Sequence, residues 1–261
     1  MAVAGEWAVI TGASSGLGRI FAQRLAARNF NLVIAARRGQ LLEGLAQEIR
    51  SMNGVQVEVL VADLQTFSGC DQVASVLQRP DVTLLINNAG YGKSGPLLKL
   101  DAGHAMGQVE LNVLALTRLT HAAAQAFVRR GVGGIMNISS VAGFTPVPGL
   151  AIYAATKAYA RNFTLAVADE MVGTGVKVAA VCPGYTDTGF FDVAEIGSRA
   201  RQQAMDPAAV VDFALSRFDA GDVLIVPGAS NQVVVQLGQH LPLRLAAKLA
   251  GFIFRRQMSK A

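Results

Sequence analysis

The stretch Trp7-Ala8-Val9-Ile10-Thr11-Gly12-Ala13-Ser14-Ser15-Gly16-Leu17-Gly18 decides the fold. Its first five residues suit a strand buried on both faces, small residues follow, and a helical apolar period begins at Leu17. This predicts a strand over 7–11, a tight glycine turn, and a helix over 17–28. Such a turn lets backbone approach a pyrophosphate closely, while the helix start offers unpaired N–H groups and the positive end of the dipole. The G-x-x-x-G-x-G spacing is one residue longer than the G-x-G-x-x-G fingerprint. With 27 glycines in the chain, the motif gains its weight from its place on the first strand and first helix.

The same alternation runs outward from that turn. Further strands are predicted over 31–36, 55–61, 82–87, 134–139, 176–182 and 223–226, each short and apolar. Helices are predicted over 40–52, 70–78, 102–130, 152–171 and 207–218. Regular β/α alternation argues for a single-domain α/β fold, a doubly wound, Rossmann-like, seven-stranded parallel sheet with helices on both faces. Residues 1–230 form the catalytic domain in this reading, and 231–261 a C-terminal amphipathic helical extension of it.

Composition sets the outer bounds. Of 261 residues, 52% are hydrophobic and 16% charged, which excludes a disordered chain. Cys70 and Cys182 stand far apart without a C-x-x-C, so a reducing, cytoplasmic compartment is expected. The longest charge-free run, 131–156, holds five glycines and two prolines and does not suit a membrane span. No basic region precedes an apolar run at the N-terminus, so no signal peptide is expected. The net charge of +5 arises entirely after Asp222, from Arg244, Lys248, Arg255, Arg256 and Lys260. That placement argues against nucleic acid as a partner. The histidines His104, His121 and His240 lack ligand spacing, so no metal site is expected.

The second strand ends Ala35-Ala36-Arg37-Arg38. A carboxylate there suits a ribose 2′-hydroxyl, whereas arginine suits a 2′-phosphate, so Arg37 and Arg38 point to NADP(H). Asp63, with Leu64 beside it, follows the third strand and is placed to reach the adenine. Tyr153 and Lys157, four residues apart on a helix, share a face. A nearby ammonium lowers a phenol's pKa toward the range useful for acid–base work. Ser140, at the end of the fifth strand, is placed to hold a substrate carbonyl.

Together these pieces resemble the short-chain dehydrogenase/reductase family over residues 5 to 227. The matching motifs are Thr11-Gly12-x-x-x-Gly16-x-Gly18, Asn87-Asn88-Ala89-Gly90, Asn112, Ser140, Tyr153-x-x-x-Lys157 and Pro183-Gly184. The resemblance implies that Tyr153 is the general acid–base, Ser140 polarises the carbonyl, and Lys157 binds the nicotinamide ribose and tunes the tyrosine. It implies that Asn112 holds a water in a proton relay. Gly12, Ser14, Ser15, Gly16, Leu17 and Gly18 would cradle the cofactor phosphates, and Asn88, Ala89 and Gly90 would line its cleft. Pro183, Gly184 and Thr188 would lie at the nicotinamide end. Thr186 stands where the family often has Val or Ile and acts mainly through its backbone. The family commonly pairs the helices carrying Asn112 and Tyr153, which implies a homodimer or homotetramer.

The implied activity is hydride transfer between NADP(H) and a secondary alcohol or ketone carbon. The competing function is a catalytically idle NADP-binding sensor or interaction protein on the same fold. The loop 184–205 offers Tyr185, Phe190, Phe191, Val193 and Ile196. These suit an apolar acyl, steroid-like or aryl substrate, or else pack the loop on its own domain. The tail 240–258 reads as one basic amphipathic helix. Leu241, Leu245, Leu249 and Phe252 form its stripe, with Arg244, Lys248 and Arg255 on one flank. Packing of that stripe on the protein's own body or a sister subunit is favoured, with an anionic membrane surface as the alternative.

Overall fold

The computed structural model describes residues 5–188, 194 and 201–258. Seven parallel strands lie in the order β3-β2-β1-β4-β5-β6-β7: β1 (Trp7–Thr11), β2 (Asn31–Ala36), β3 (Val57–Val61), β4 (Val82–Asn87), β5 (Gly133–Ile138), β6 (Val176–Val181) and β7 (Leu224–Ile225). The chain reverses direction across the sheet between β1 and β4, which pair directly. The carboxyl ends of those two strands are therefore where a doubly wound sheet opens a cleft.

Side chains of each strand alternate between two cores. Ala8 and Ile10 face one, with Phe21 and Leu25 of α1 (Gly16–Ala26), Leu42 and Ile49 of α2 (Gly39–Asn53), and Val211 of α7 (Pro207–Asp219). Trp7 and Val9 face the other, with Val73 of α3 (Phe67–Leu77), Leu119 and Phe127 of α5 (Leu116–Arg130), and Ala168 of α6 (Ala151–Glu170). Burial on both faces explains the near-continuous apolar strands. Capping side chains fix helix starts: Thr66 accepts from Gly69 N at 3.0 Å, Asp101 from His104 N at 3.0 Å, and Asp206, ahead of Pro207, from Ala209 N at 3.1 Å.

The structure departs from the sequence-based expectation in two helical regions. The single helix expected over 102–130 is α4 (Ala102–Val109), a π-helical turn (Glu110–Ala115) and α5. That turn presents Asn112, whose amide is held by the backbone of Tyr91. The tail helix expected over 240–258 is present as α9 (Leu243–Met258), and a further helix not expected from the sequence, α8 (Ala229–His240), precedes it. Pro242 pushes Leu241 into extended backbone (φ −83°, ψ 145°) and so separates the two. The expected stripe of Leu245, Leu249 and Phe252 is not packed on the body: these residues are 44–58% exposed. The buried positions of α9 are instead Ala246 and Phe254. No helix among the described residues is long and apolar enough to cross a membrane.

Candidate active site

The β1–α1 turn is built for close approach. Gly12 and Gly16 have φ of +68° and +57°, conformations that favour glycine. A Cβ on Gly12 would meet the Asn88 amide at 2.9 Å, and one on Gly18 would collide with the Gly12 carbonyl and the same amide. Thr11 Oγ1 accepts from the backbone N–H of Asn88 and of Ala89, both at 3.0 Å. Asn88 returns a bond from its side-chain amide to Thr11 O at 2.9 Å. Asn88-Ala89-Gly90 is thereby latched to the glycine turn, although 70 residues and more separate them in sequence.

Arg38 reaches across that turn, donating to Ser14 Oγ at 2.9 Å and Ser15 Oγ at 2.7 Å. Arg37 turns toward Gln65, donating to Oε1 at 3.2 Å. The two guanidiniums thus border one corner of the cleft from separate directions, with Ala62, Asp63, Leu64 and Gln65 along its edge. Asp63 Oδ1 accepts from Gln65 N at 3.1 Å and shapes this edge. No carboxylate competes at the end of β2, where Ala36 precedes Arg37.

At the other end of the cleft, β5 delivers Ser139 and Ser140, and α6 delivers Tyr153 and Lys157. Ser139 Oγ donates to the Lys157 carbonyl at 2.7 Å and is committed to backbone. Ser140 is the serine that hydrogen-bonds the Tyr153 side chain. Its Oγ also accepts from Ala142 N at 3.1 Å, which orients it over the Val141–Phe144 turn. Lys157 Nζ lies 5.8 Å from the Tyr153 ring centroid and donates to Ile138 O at 2.8 Å. Burial pushes the Tyr153 phenol up to about 12, with the Ser140 bond acting in the opposite direction. Burial also draws Lys157 down to about 8. Burial thus dominates the phenol's titration in the cofactor-free site, where the expectation was a lowering by the lysine, and the Lys157 ammonium is engaged with the Ile138 carbonyl.

Asn112 sits behind this floor, fully buried. Its amide donates to Tyr91 O at 2.8 Å and Thr156 Oγ1 at 3.0 Å, and its Oδ1 accepts from Tyr91 N at 3.0 Å. A Cβ on Gly90 would meet Asn112 Oδ1 at 2.9 Å and Lys157 Nζ at 3.1 Å, so a side chain there is excluded.

One continuous cleft of about 1530 Å³ joins the two ends. Of the residues singled out from sequence, Gly12, Ser14, Ser15, Gly16, Leu17, Arg37, Arg38, Asp63, Leu64, Asn88, Ala89 and Gly90 line it. So do Ser140, Tyr153, Lys157, Pro183, Gly184, Thr186 and Thr188. Gly18 and Asn112 stand one layer behind its wall. Phe190, Phe191, Val193 and Ile196 lie outside the described residues, while Tyr185 lines the cleft. Sequence reasoning missed Gln65, Tyr91 and the apolar wall contributed by α8 and α9, including Val234, Leu237, Leu249 and Ile253. The tail's amphipathic spacing was the available signal for that wall.

The family model for short chain dehydrogenase matches residues 6–196. A very-long-chain 3-oxoacyl-CoA reductase of Pyricularia oryzae is 35% identical over 179 residues, which are 67% of this chain and 54% of that protein. The chain thus spans about half the length of that relative. Among solved structures, a short-chain dehydrogenase from Sphingobium yanoikuyae in complex with NADPH superposes with a TM-score of 0.83 at 35% identity, covering 91% of this chain and 96% of that one. A bulky-bulky ketone specific alcohol dehydrogenase from Comamonas testosteroni gives 0.78 at 34% identity, over 91% and 95%. The chain belongs to the short-chain dehydrogenase family, whose members are NAD(P)(H)-dependent oxidoreductases acting at alcohol and carbonyl carbons.

Proposed function

We propose that this protein is an NADP(H)-dependent oxidoreductase interconverting a bulky, apolar ketone and its secondary alcohol. One observation carries the reading: a single cleft runs from the glycine turn and the Arg37–Arg38 corner, past Tyr153, to an apolar wall. The residues fit the cofactor. Gly12 and Gly18 let the turn close tightly on Asn88, which keeps its backbone at the cleft, and the α1 N-terminus with Ser14, Ser15 and Arg38 suits phosphate. When bound, the nicotinamide supplies or accepts the hydride.

The chain's own residues then handle the oxygen and its proton. Ser140 holds the carbonyl oxygen by a hydrogen bond, and Tyr153, protonated at neutral pH because burial holds its phenol high, donates the proton in the reducing direction. Lys157 anchors a hydroxyl-bearing group beside the phenol, and Asn112 locks the Tyr91 backbone that frames this end. Leu237, Leu249 and Ile253 keep the far wall apolar. The relatives named for a 3-oxoacyl or a bulky ketone substrate support that class.

The reading includes a homodimer or homotetramer formed through the helices bearing Asn112 and Tyr153, supported by Leu114 and Tyr159, which stay 53% and 38% exposed there. A reducing, cytoplasmic setting suits the free, buried Cys70 and Cys182. Steady-state oxidation of NADPH and of NADH against ketones graded in size tests the whole. Bulky apolar ketones with NADPH should turn over fastest. Tight NADPH binding with no turnover on any ketone would instead identify an idle cofactor-binding protein.

A further inference from the structure

The outer rim of the cleft is formed by α8 and α9, and it leaves a large apolar surface uncovered. On α9, one side rests on the body. Phe254 packs with Leu150, Tyr153 and Ala194, and Gly251 lies against Pro148. At 100° per residue, Leu245, Leu249, Phe252 and Ile253 fall together on a different side, 44–58% exposed. Val233, Val234 and Leu237 of α8 are 57–63% exposed, and the last two line the same cleft. Isolated exposed leucines are ordinary, but four large apolar side chains exposed on one side of a single helix mark a contact surface.

Charge identifies the contact. Arg244, Lys248 and Arg255 share one arc of α9, flanking its exposed apolar side, and no Asp or Glu occurs after Asp222. We propose that this rim docks on an anionic lipid bilayer. Leu245 and Phe252 of α9 enter the boundary between headgroups and acyl chains, Leu249 and Ile253 stand at the mouth of the cleft beside them, and the three cations lie against the headgroup charge. A second copy suits the surface poorly: a two-fold contact of this face with itself sets cations against cations, with no acidic residue of α8 or α9 to neutralise them. The contact is peripheral, since no helix among the described residues is long and apolar enough to span. Docking in this way turns the apolar mouth of the cleft toward the bilayer.

The test is co-sedimentation of the full-length protein with vesicles of phosphatidylcholine alone and of phosphatidylcholine mixed with phosphatidylglycerol. Binding to the mixed vesicles only, weakened by added salt, is expected. Arg244→Gln with Lys248→Gln should lower partitioning roughly thirtyfold, from the loss of about one cationic contact each. Leu245→Gln with Phe252→Gln should lower it roughly tenfold or more. Neither pair lines the cleft, and a circular dichroism melt establishes that each variant is folded. The proposal is overturned if the intact protein stays in the supernatant, or if neither pair alters binding. It is equally overturned if the native chain forms a dimer that Leu245→Gln with Phe252→Gln dissociates. Sedimentation needs no turnover, so its outcome is separate from that of the ketone assay.

Discussion

In the proposed reaction Tyr153 meets an apolar carbonyl and exchanges a proton, and burial serves the first demand while opposing the second. Burial holds the phenol near 12, which keeps the proton in place for reduction and makes the phenolate scarce. Tyr153→Phe keeps the ring packed with Leu150 and Phe254 and removes only the hydroxyl. Turnover should fall by about 10² to 10⁴ while the dissociation constant for NADPH barely moves. Residual activity above a tenth of the native rate would take the proton role away from Tyr153. At the opposite end, Arg38 rather than Arg37 is bonded to both turn serines. Loss of a charge-assisted phosphate contact costs roughly 1.5–3 kcal/mol, so Arg38→Ala should weaken NADPH about ten- to a hundredfold and leave NADH nearly unchanged. Equal losses for the two nucleotides, read by titration of protein fluorescence, would show that Arg38 merely shapes the turn.

Among elements, the β1–α1 turn and the β4 end act as one piece, because Thr11, Gly12 and Asn88 share hydrogen bonds and leave no space between them. Gly18→Ala places a methyl against the Gly12 carbonyl and the Asn88 amide, both held by other bonds. Overpacking of this kind costs typically 1–3 kcal/mol, so cofactor affinity should drop about tenfold or more. Unchanged affinity would mean that the latch is looser than its geometry. This piece was legible in the sequence, since glycine spacing, a strand end and a helix start are local signals. The π-helical turn at Glu110–Ala115 was not, because one widened turn hardly disturbs the apolar period of 102–130 while redirecting Asn112. Nor was the packed side of α9: Pro242 signalled a helix start, whereas which side of α9 packs depends on Pro148 and Leu150, a hundred residues away.

For the molecule as a whole, alternation of strand and helix was enough to foresee a seven-stranded parallel sheet, because burial on both faces writes itself into every strand. The sign of a buried group's titration was not foreseeable, because desolvation is set by the entire fold. Lys157 makes that a measurable property of global stability. Burial lowers it from 10.5 to about 8. Below pH 8 its ammonium is charged in both folded and unfolded chains, and the full cost of burying it is present. Between 8 and 10.5 the unfolded chain keeps a proton that the folded chain has released, so stability rises with pH from this group, and above 10.5 the cost is gone. Cys182 and Tyr153 act in the other sense: burial raises each to about 12, so the unfolded chain ionises first above 9.0 and 10.0 and stability erodes. Comparison with Lys157→Met, which retains an apolar stem without the charge, reads the ammonium together with its coupling to Cys182. In urea unfolding of the cofactor-free protein, the native chain should gain about 2 kcal/mol on the variant between pH 8 and about pH 9.5. Parallel stability curves across that window would mean that the Ile138 carbonyl compensates the ammonium in full, and that Lys157 stays charged throughout.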